Sequence, residues 1–208
     1  MDNNKLEIKI IVGSTREGRF SEKPALWIFE MLSKREDVRV EILDLRNFHM
    51  PFFEEAVPPS MKETPYTHDA VAAWTERISE GEAFIIVTPE YNHGYPAVLK
   101  NALDYVYQEW NKKPVGFISY GATAGVRAVE QLRQVAIELQ MASMRGAVHI
   151  PFENYVRAIN DPTTPAQLLF TNLDKKAEAM LVELLWWGNA LKRARRDQVE
   201  VETLASIR

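Results

Sequence analysis

An α/β fold built on a doubly wound, five-stranded parallel sheet with helices on both faces is what this sequence predicts. Two observations carry the prediction. Short runs rich in Ile and Val alternate strictly with longer segments of helical periodicity, which is the pattern of parallel strands joined by crossover helices. Several of those runs are nearly continuous, as strands covered on both faces require.

The first strand is expected over Leu6–Val12. A helix follows over Pro24–Leu32, after Ser21, because a proline in the Glu22-Lys23-Pro24 stretch suits a first helical turn. The second strand, Val38–Leu43, alternates apolar and polar residues. Asn47–Thr67 carries Pro51, Pro58, Pro59 and Pro65 and reads as a long surface loop, either a lid or partner contact or an idle excursion. Val71, Trp74 and Ile78 then mark a helix face that Gly81 ends. The third strand is Ala83–Thr88, followed by an apolar stripe at Leu99, Ala102, Leu103 and Val106. The fourth is Pro114–Ser119, followed by Val126, Val129, Leu132, Ala136 and Leu139. A short fifth strand is expected over Ala147–Ile150, and a last helix over Leu173–Leu191. Five strands suit the flavodoxin-like order 2-1-3-4-5 better than the six-stranded dinucleotide fold. No repeat or linker interrupts the 208 residues, so one domain is expected, with a core over about residues 5–190 and a C-terminal tail over 191–208.

Composition narrows the chemistry. With no cysteine, there is no disulfide framework, thiolate metal site or cysteine nucleophile, and any redox work falls to a bound cofactor. A net charge of −4 gives no general attraction to nucleic acid or anionic membrane. The polar N-terminus, Met1–Lys5, lacks a signal-peptide pattern and no stretch is long and apolar enough to span a bilayer, so the expectation is a cytoplasmic protein. His49, His68, His93 and His149 have no metal-ligand spacing, and Glu54-Glu55 makes a poor acid/base dyad. Ser119 lacks the G-x-S-x-G elbow of a serine hydrolase. Lys192, Arg193, Arg195 and Arg196 are expected at the end of the last helix, where cations complement its dipole. Trp186-Trp187 cannot both face one core.

Ligands of such sheets bind beyond the carboxyl ends of the strands. The loop after the first strand, Gly13-Ser14-Thr15-Arg16-Glu17-Gly18-Arg19-Phe20-Ser21, runs into a helix N-terminus, which offers free N–H groups and positive dipole charge. It is neither a Walker A loop nor a GxGxxG fingerprint. What remains is a Ser- and Arg-rich cradle for a terminal phosphate, or a helix cap with solvent-exposed arginines.

The loop after the third strand begins a longer motif, Thr88-Pro89-Glu90-Tyr91-Asn92-His93-Gly94-Tyr95-Pro96-Ala97-Val98-Leu99-Lys100-Asn101-Ala102-Leu103-Asp104. It resembles the T-P-E-Y-N-x-x-x-P-x-x-L-K-N-A-x-D signature of the NAD(P)H-dependent FMN reductase family, which includes flavin, quinone, chromate and azo-compound reductases. Every fixed position is matched. With the first loop and the strand alternation, the resemblance covers most of residues 5–150. It implies FMN at the switch point of the sheet, NADPH or NADH as co-substrate, a small-molecule electron acceptor and a homodimer or tetramer. By position, Ser14, Arg16, Arg19 and Ser21 would hold the phosphate and ribityl end, with Thr15 and Phe20 also among the cofactor-binding residues. Pro89, Glu90, Tyr91 and Asn92 would line the flavin ring, and Ser119, Tyr120 and Gly121 would form the third flavin loop. His93 and Tyr95 are candidates for touching nicotinamide or acceptor. Chemistry would reside at flavin N5, with no catalytic side chain required. Lys100 and Asn101 read as a helix-surface lysine and a capping or packing amide. Tyr105, Tyr107 and Trp110 are candidates for a subunit surface. The alternative activity is a flavodoxin-like FMN electron carrier without nicotinamide turnover; a third reading keeps the fold without flavin.

Overall fold

The computed structural model describes residues 5–206, with side chains as far as residue 198. The first four residues of the polar N-terminus and the last two of the expected tail lie outside the described residues. Five parallel strands, β1 (Leu6–Val12), β2 (Val38–Asp44), β3 (Ala83–Pro89), β4 (Pro114–Tyr120) and β5 (Ala142–Ile150), form one sheet in the order β2-β1-β3-β4-β5.

Side chains alternate across a strand, and this divides the apolar runs into two cores. Ile8, Ile10 and Val12 of β1 and Ile85 and Val87 of β3 pack under α1 (Glu22–Ser33). The same core is covered by α7 (Asp174–Ser206). Ile11, Phe84, Ile86, Val115 and Phe117 point the other way, under α2 (Asp69–Glu80), α3 (Ala97–Asp104) and α4 (Val126–Glu138). Trp27 and Trp74 are fully buried, and each indole N–H has an acceptor: Asp174 Oδ1 at 3.0 Å and the Ala102 carbonyl at 2.8 Å. This is how large amphipathic rings enter a core without an orphaned donor.

Several boundaries differ from the sequence expectation. β5 begins at Ala142, five residues early, because its register on β4 is interrupted between Val115 and Phe117. The irregularity around Arg145 and Gly146 hides the strand from a simple pattern reading. Two short helices, α5 (Phe152–Asn160) and α6 (Ala166–Phe170), occupy the segment between the fifth strand and the last helix, to which the sequence pattern assigns no element. The last helix runs on to Ser206 rather than ending at Leu191. Its basic cluster is therefore in the helix body. Lys192 pairs with Glu82 at 2.6 Å and caps the Lys5 carbonyl at 2.7 Å, while Arg195 donates to the Lys112 carbonyl at 2.6 Å. Tyr105 and Trp110 are buried in the α2–α3–α4 core, so they supply no subunit surface; burial won over the partner role. Trp186 is largely exposed, edge-on to the half-exposed Trp187.

Asn101 staples the Pro-rich loop. Its carbonyl accepts from the Phe53 N–H at 2.8 Å and its amide donates to the Pro51 carbonyl at 2.7 Å. Lys100 is spent on a surface pair with Asp104 one helical turn away.

Candidate functional site

β1 connects outward to β2 while β3 connects onward to β4, so the chain parts at the carboxyl ends of β1 and β3 and leaves a crevice there. Backbone bonds carry the strand pairing into it: Gly13 N–H donates to the Val87 carbonyl at 2.8 Å, and Glu90 N–H to the Tyr120 carbonyl at 2.9 Å. A Cβ at Gly13 would lie 3.0 Å from both a Leu99 methyl and the Val87 carbonyl, so a larger residue there would crowd this junction.

The first loop is tied from below. The Arg19 guanidinium is 1% exposed and bonded to Asp44, Glu22 and the Ser14 carbonyl. Those acceptors occupy its fork, so the expectation that Arg19 faces a phosphate is corrected: it braces the loop. Burial raises the Asp44 carboxyl, but the Arg19 fork and the Arg46 N–H outweigh it and hold the group below its usual range. Phe20 is likewise inside, edge-on to Tyr120 at 5.0 Å and to Tyr155 at 5.2 Å. Ser21 is fully buried just before α1; among the described residues its hydroxyl makes no well-formed hydrogen bond, and the Tyr120 phenol is its neighbour. Arg16 stays exposed.

Tyr91 links the loops, its hydroxyl 2.8 Å from Ser14 Oγ. Tyr91 and Gly94 exchange backbone bonds of 2.8 and 3.1 Å around Asn92 (φ 49°) and His93 (φ 76°). Two successive positive φ values make a type I′ turn, and asparagine and histidine tolerate that region better than most residues. Glu90 reaches the other way. Its nearly buried carboxylate takes the Arg127 guanidinium, the Arg127 N–H at 3.2 Å and the Thr123 hydroxyl at 3.1 Å. Burial raises that carboxyl, yet these donors hold it below its ordinary value. The clamp joins the loop after β3 to the loop after β4. Ser119 lies beneath the latter, donating to the Ala124 carbonyl at 2.8 Å and lying 2.8 Å from His149 Nδ1.

One cleft of about 240 Å³ collects Arg16, Pro89, Glu90, Tyr91, Tyr120 and Gly121 from the three loops. Ala122, Phe152 and Tyr155 complete its wall. Of the other candidates, Ser14, Arg19, Phe20, Ser21 and Ser119 are buried beneath the loops. Thr15 borders a neighbouring groove with Arg46, His49 and Val98. Asn92 and His93 are exposed on the turn, and Tyr95 packs partly buried against the α3 side; none of the three lines the cleft. The residues that sequence reasoning missed are Arg127, Thr123, Phe152 and Tyr155. The spacing of Phe152, Tyr155, Val156 and Ile159 behind Pro151 is a helical signal that could have found the last pair.

Comparison with known proteins agrees with this geometry. The chain is 36% identical over 158 residues to an NAD(P)H-dependent FMN reductase of Schizosaccharomyces pombe, covering 75% of this chain and 79% of the relative. It is 30% identical over 172 residues to a quinone reductase of Pseudomonas putida, covering 76% and 87%. In fold it is similar to a flavoenzyme NAD(P)H:(acceptor) oxidoreductase from Paracoccus denitrificans, with a TM-score of 0.60 at 22% identity over 86% of this chain and 98% of that one. The family described as NADPH-dependent FMN reductase matches residues 6–154, from the start of β1 into α5. Sheet order, loops and sequence thus converge: the chain belongs to the NADPH-dependent FMN reductase family, oxidoreductases with FMN as cofactor and NAD(P)H as reductant.

Proposed function

We propose that this cleft binds FMN without a covalent link and that the protein uses NAD(P)H to reduce a quinone or free flavin. The observation that carries the reading is Ser21 Oγ, a buried hydroxyl that makes no well-formed hydrogen bond among the described residues and lies beside the Tyr120 phenol at the N-terminus of a twelve-residue helix. Buried polar groups are nearly always paired, and a phosphate oxygen at that helix end would pair this one. The rest of the donor set fits a phosphate-tailed planar ring. Arg16 supplies positive charge to the cleft, Tyr91 and Tyr120 supply aromatic surface, and Gly121 lets the backbone come close. A Cβ on Gly121, which has φ +147°, would lie 3.2 Å from Glu90 Cβ.

In this reading FMN supplies the hydride relay between nicotinamide and acceptor. The protein positions the ring and excludes water from one face. The Glu90–Arg127–Thr123 clamp keeps the two ring-binding loops at a constant spacing, so that backbone N–H groups stay preorganised toward the polar edge of the ring. No side chain need hold or move a proton. The quinone reductase name of the Pseudomonas putida relative supports the acceptor class. The reading includes a cytoplasmic homodimer or tetramer. The apolar face that α5 turns to solvent beside the cleft, Phe152, Val156 and Ile159, supports assembly.

The test is direct. The purified protein should show a yellow flavin spectrum that NADPH or NADH bleaches anaerobically and a quinone restores. Colour that resists bleaching would indicate an electron carrier instead, and a colourless protein unable to take up FMN would refute flavin binding. Sedimentation as a monomer would refute the assembly.

A further inference from the structure

Arg16 and Arg19 share one loop but not one fate. The Arg19 charge is cancelled by Asp44 and Glu22. Among the described residues no carboxylate pairs with Arg16. Its guanidinium instead lines one cleft with Tyr155, Tyr91 and Tyr120, and the Tyr155 hydroxyl favours its charged form. The distinction matters for anion binding. A carboxylate would both orient the fork and neutralise it, whereas a neutral phenol orients it and leaves its whole charge to attract a ligand.

Tyr155 is itself held firmly. Its ring stacks on Phe152, with centroids 5.6 Å apart, and meets the buried Phe20 edge-on at 5.2 Å. The helix that carries it is anchored by Asn154, a buried amide that donates to the Leu169 carbonyl at 2.5 Å and to Asn172 Oδ1 at 3.0 Å. An arginine side chain loses several rotamers on binding an anion, and that ordering opposes binding. A partner that fixes it beforehand removes part of that loss.

We propose that Tyr155 is a positioning residue, which holds the Arg16 guanidinium at the cleft for the 5′-phosphate of the flavin cofactor. The inference rests on the reading of the cleft as an FMN site, and it extends that site to α5, outside the three strand-end loops.

FMN and riboflavin differ by the phosphate alone, so the pair separates this role from a structural one. Flavin fluorescence quenching on the apoprotein would measure both affinities. Tyr155→Phe keeps the ring contacts and removes the hydroxyl. It should weaken FMN about three- to tenfold and leave riboflavin unchanged within about twofold. Arg16→Ala should weaken FMN more, again sparing riboflavin, and Tyr155→Phe should add nothing in that background. Equal weakening of both flavins by Tyr155→Phe, or of neither, overturns the proposal. If Tyr155→Phe fails to fold, Arg16→Ala decides: an unchanged FMN affinity overturns it. Wild-type protein that binds FMN no more tightly than riboflavin refutes the phosphate site itself, a different outcome from failure of the Tyr155 role.

Discussion

Asp44→Asn is the sharpest test of how the first loop is held. The substitution removes one charge from the acceptor set of Arg19, keeps the shape, and leaves an oxygen for the Arg46 N–H, which Asp44 Oδ1 accepts at 2.9 Å. Breaking a buried ion pair from one side costs about 3–5 kcal/mol when nothing else compensates. Here Glu22 remains 2.8 Å from the guanidinium, but it is half exposed and screened. The expected loss is therefore about 2–3 kcal/mol, a large share of a total near 5–15 kcal/mol. Urea denaturation of the apoprotein would show it as a lower midpoint at unchanged slope. Arg19→Met combined with Asp44→Asn should be less damaging than Asp44→Asn alone, because no charge is then left buried without its partner. The pH dependence has a definite sign. Asp44 in the folded protein lies below its ordinary value of 3.8. Its contribution is therefore full above pH 3.8 and is lost as the pH falls through the lower, folded value. The variant should lack that part of the acid limb. A midpoint within about 0.5 kcal/mol of wild type, or a double variant no better than the single one, would refute the argument.

Three further outcomes are expected. Gly125→Ala should lower the melting temperature and weaken flavin retention, because φ is +73° and the new Cβ would lie 2.7 Å from Ser119 Cβ and 2.8 Å from the Tyr120 nitrogen; an unchanged melt would contradict the packing of this loop. Asn101→Ala should release the Pro-rich loop and speed proteolysis between Pro51 and Thr67, at a loss of about 1–3 kcal/mol, and equal cleavage rates would show that the amide does not hold it. Ser119 spends its only hydroxyl proton on the Ala124 carbonyl, so His149 must donate from Nδ1. Nitrogen NMR should find that tautomer, neutral at pH 7. Burial, helped by Arg133 and Lys176, pushes the His149 pKa below its ordinary 6.5. Stability should then be full above pH 6.5 and decline below it, and His149→Gln should remove that slope; a slope identical in both proteins would count against the assignment.

The strand-end loops were legible because their chemistry is local. The run from Thr88 to Asp104 carries a strand end, a turn and a helix start in consecutive residues, so a linear pattern describes it. The Asn101 staple was legible only as a packing amide, since its partners Pro51 and Phe53 stand about fifty positions earlier in the chain. Glu90 belongs to the same motif, yet its partner Arg127 lies beyond the next strand, and nothing in either neighbourhood announces the pair.

By itself the sequence determined the sheet order, since alternating apolar runs and amphipathic segments admit few parallel arrangements, and it located the strand-end loops that line the cleft. Tertiary structure decided what each polar side chain in those loops does. Arg16 and Arg19 are three residues apart with the same side chain. Yet one lies in the cleft and the other beneath it, because β2 delivers Asp44 under the loop while α5 brings Tyr155 to the cleft that Arg16 lines. Charge is available to a ligand only where the fold leaves it unneutralised, and the neutralising partners come from chain segments remote in sequence.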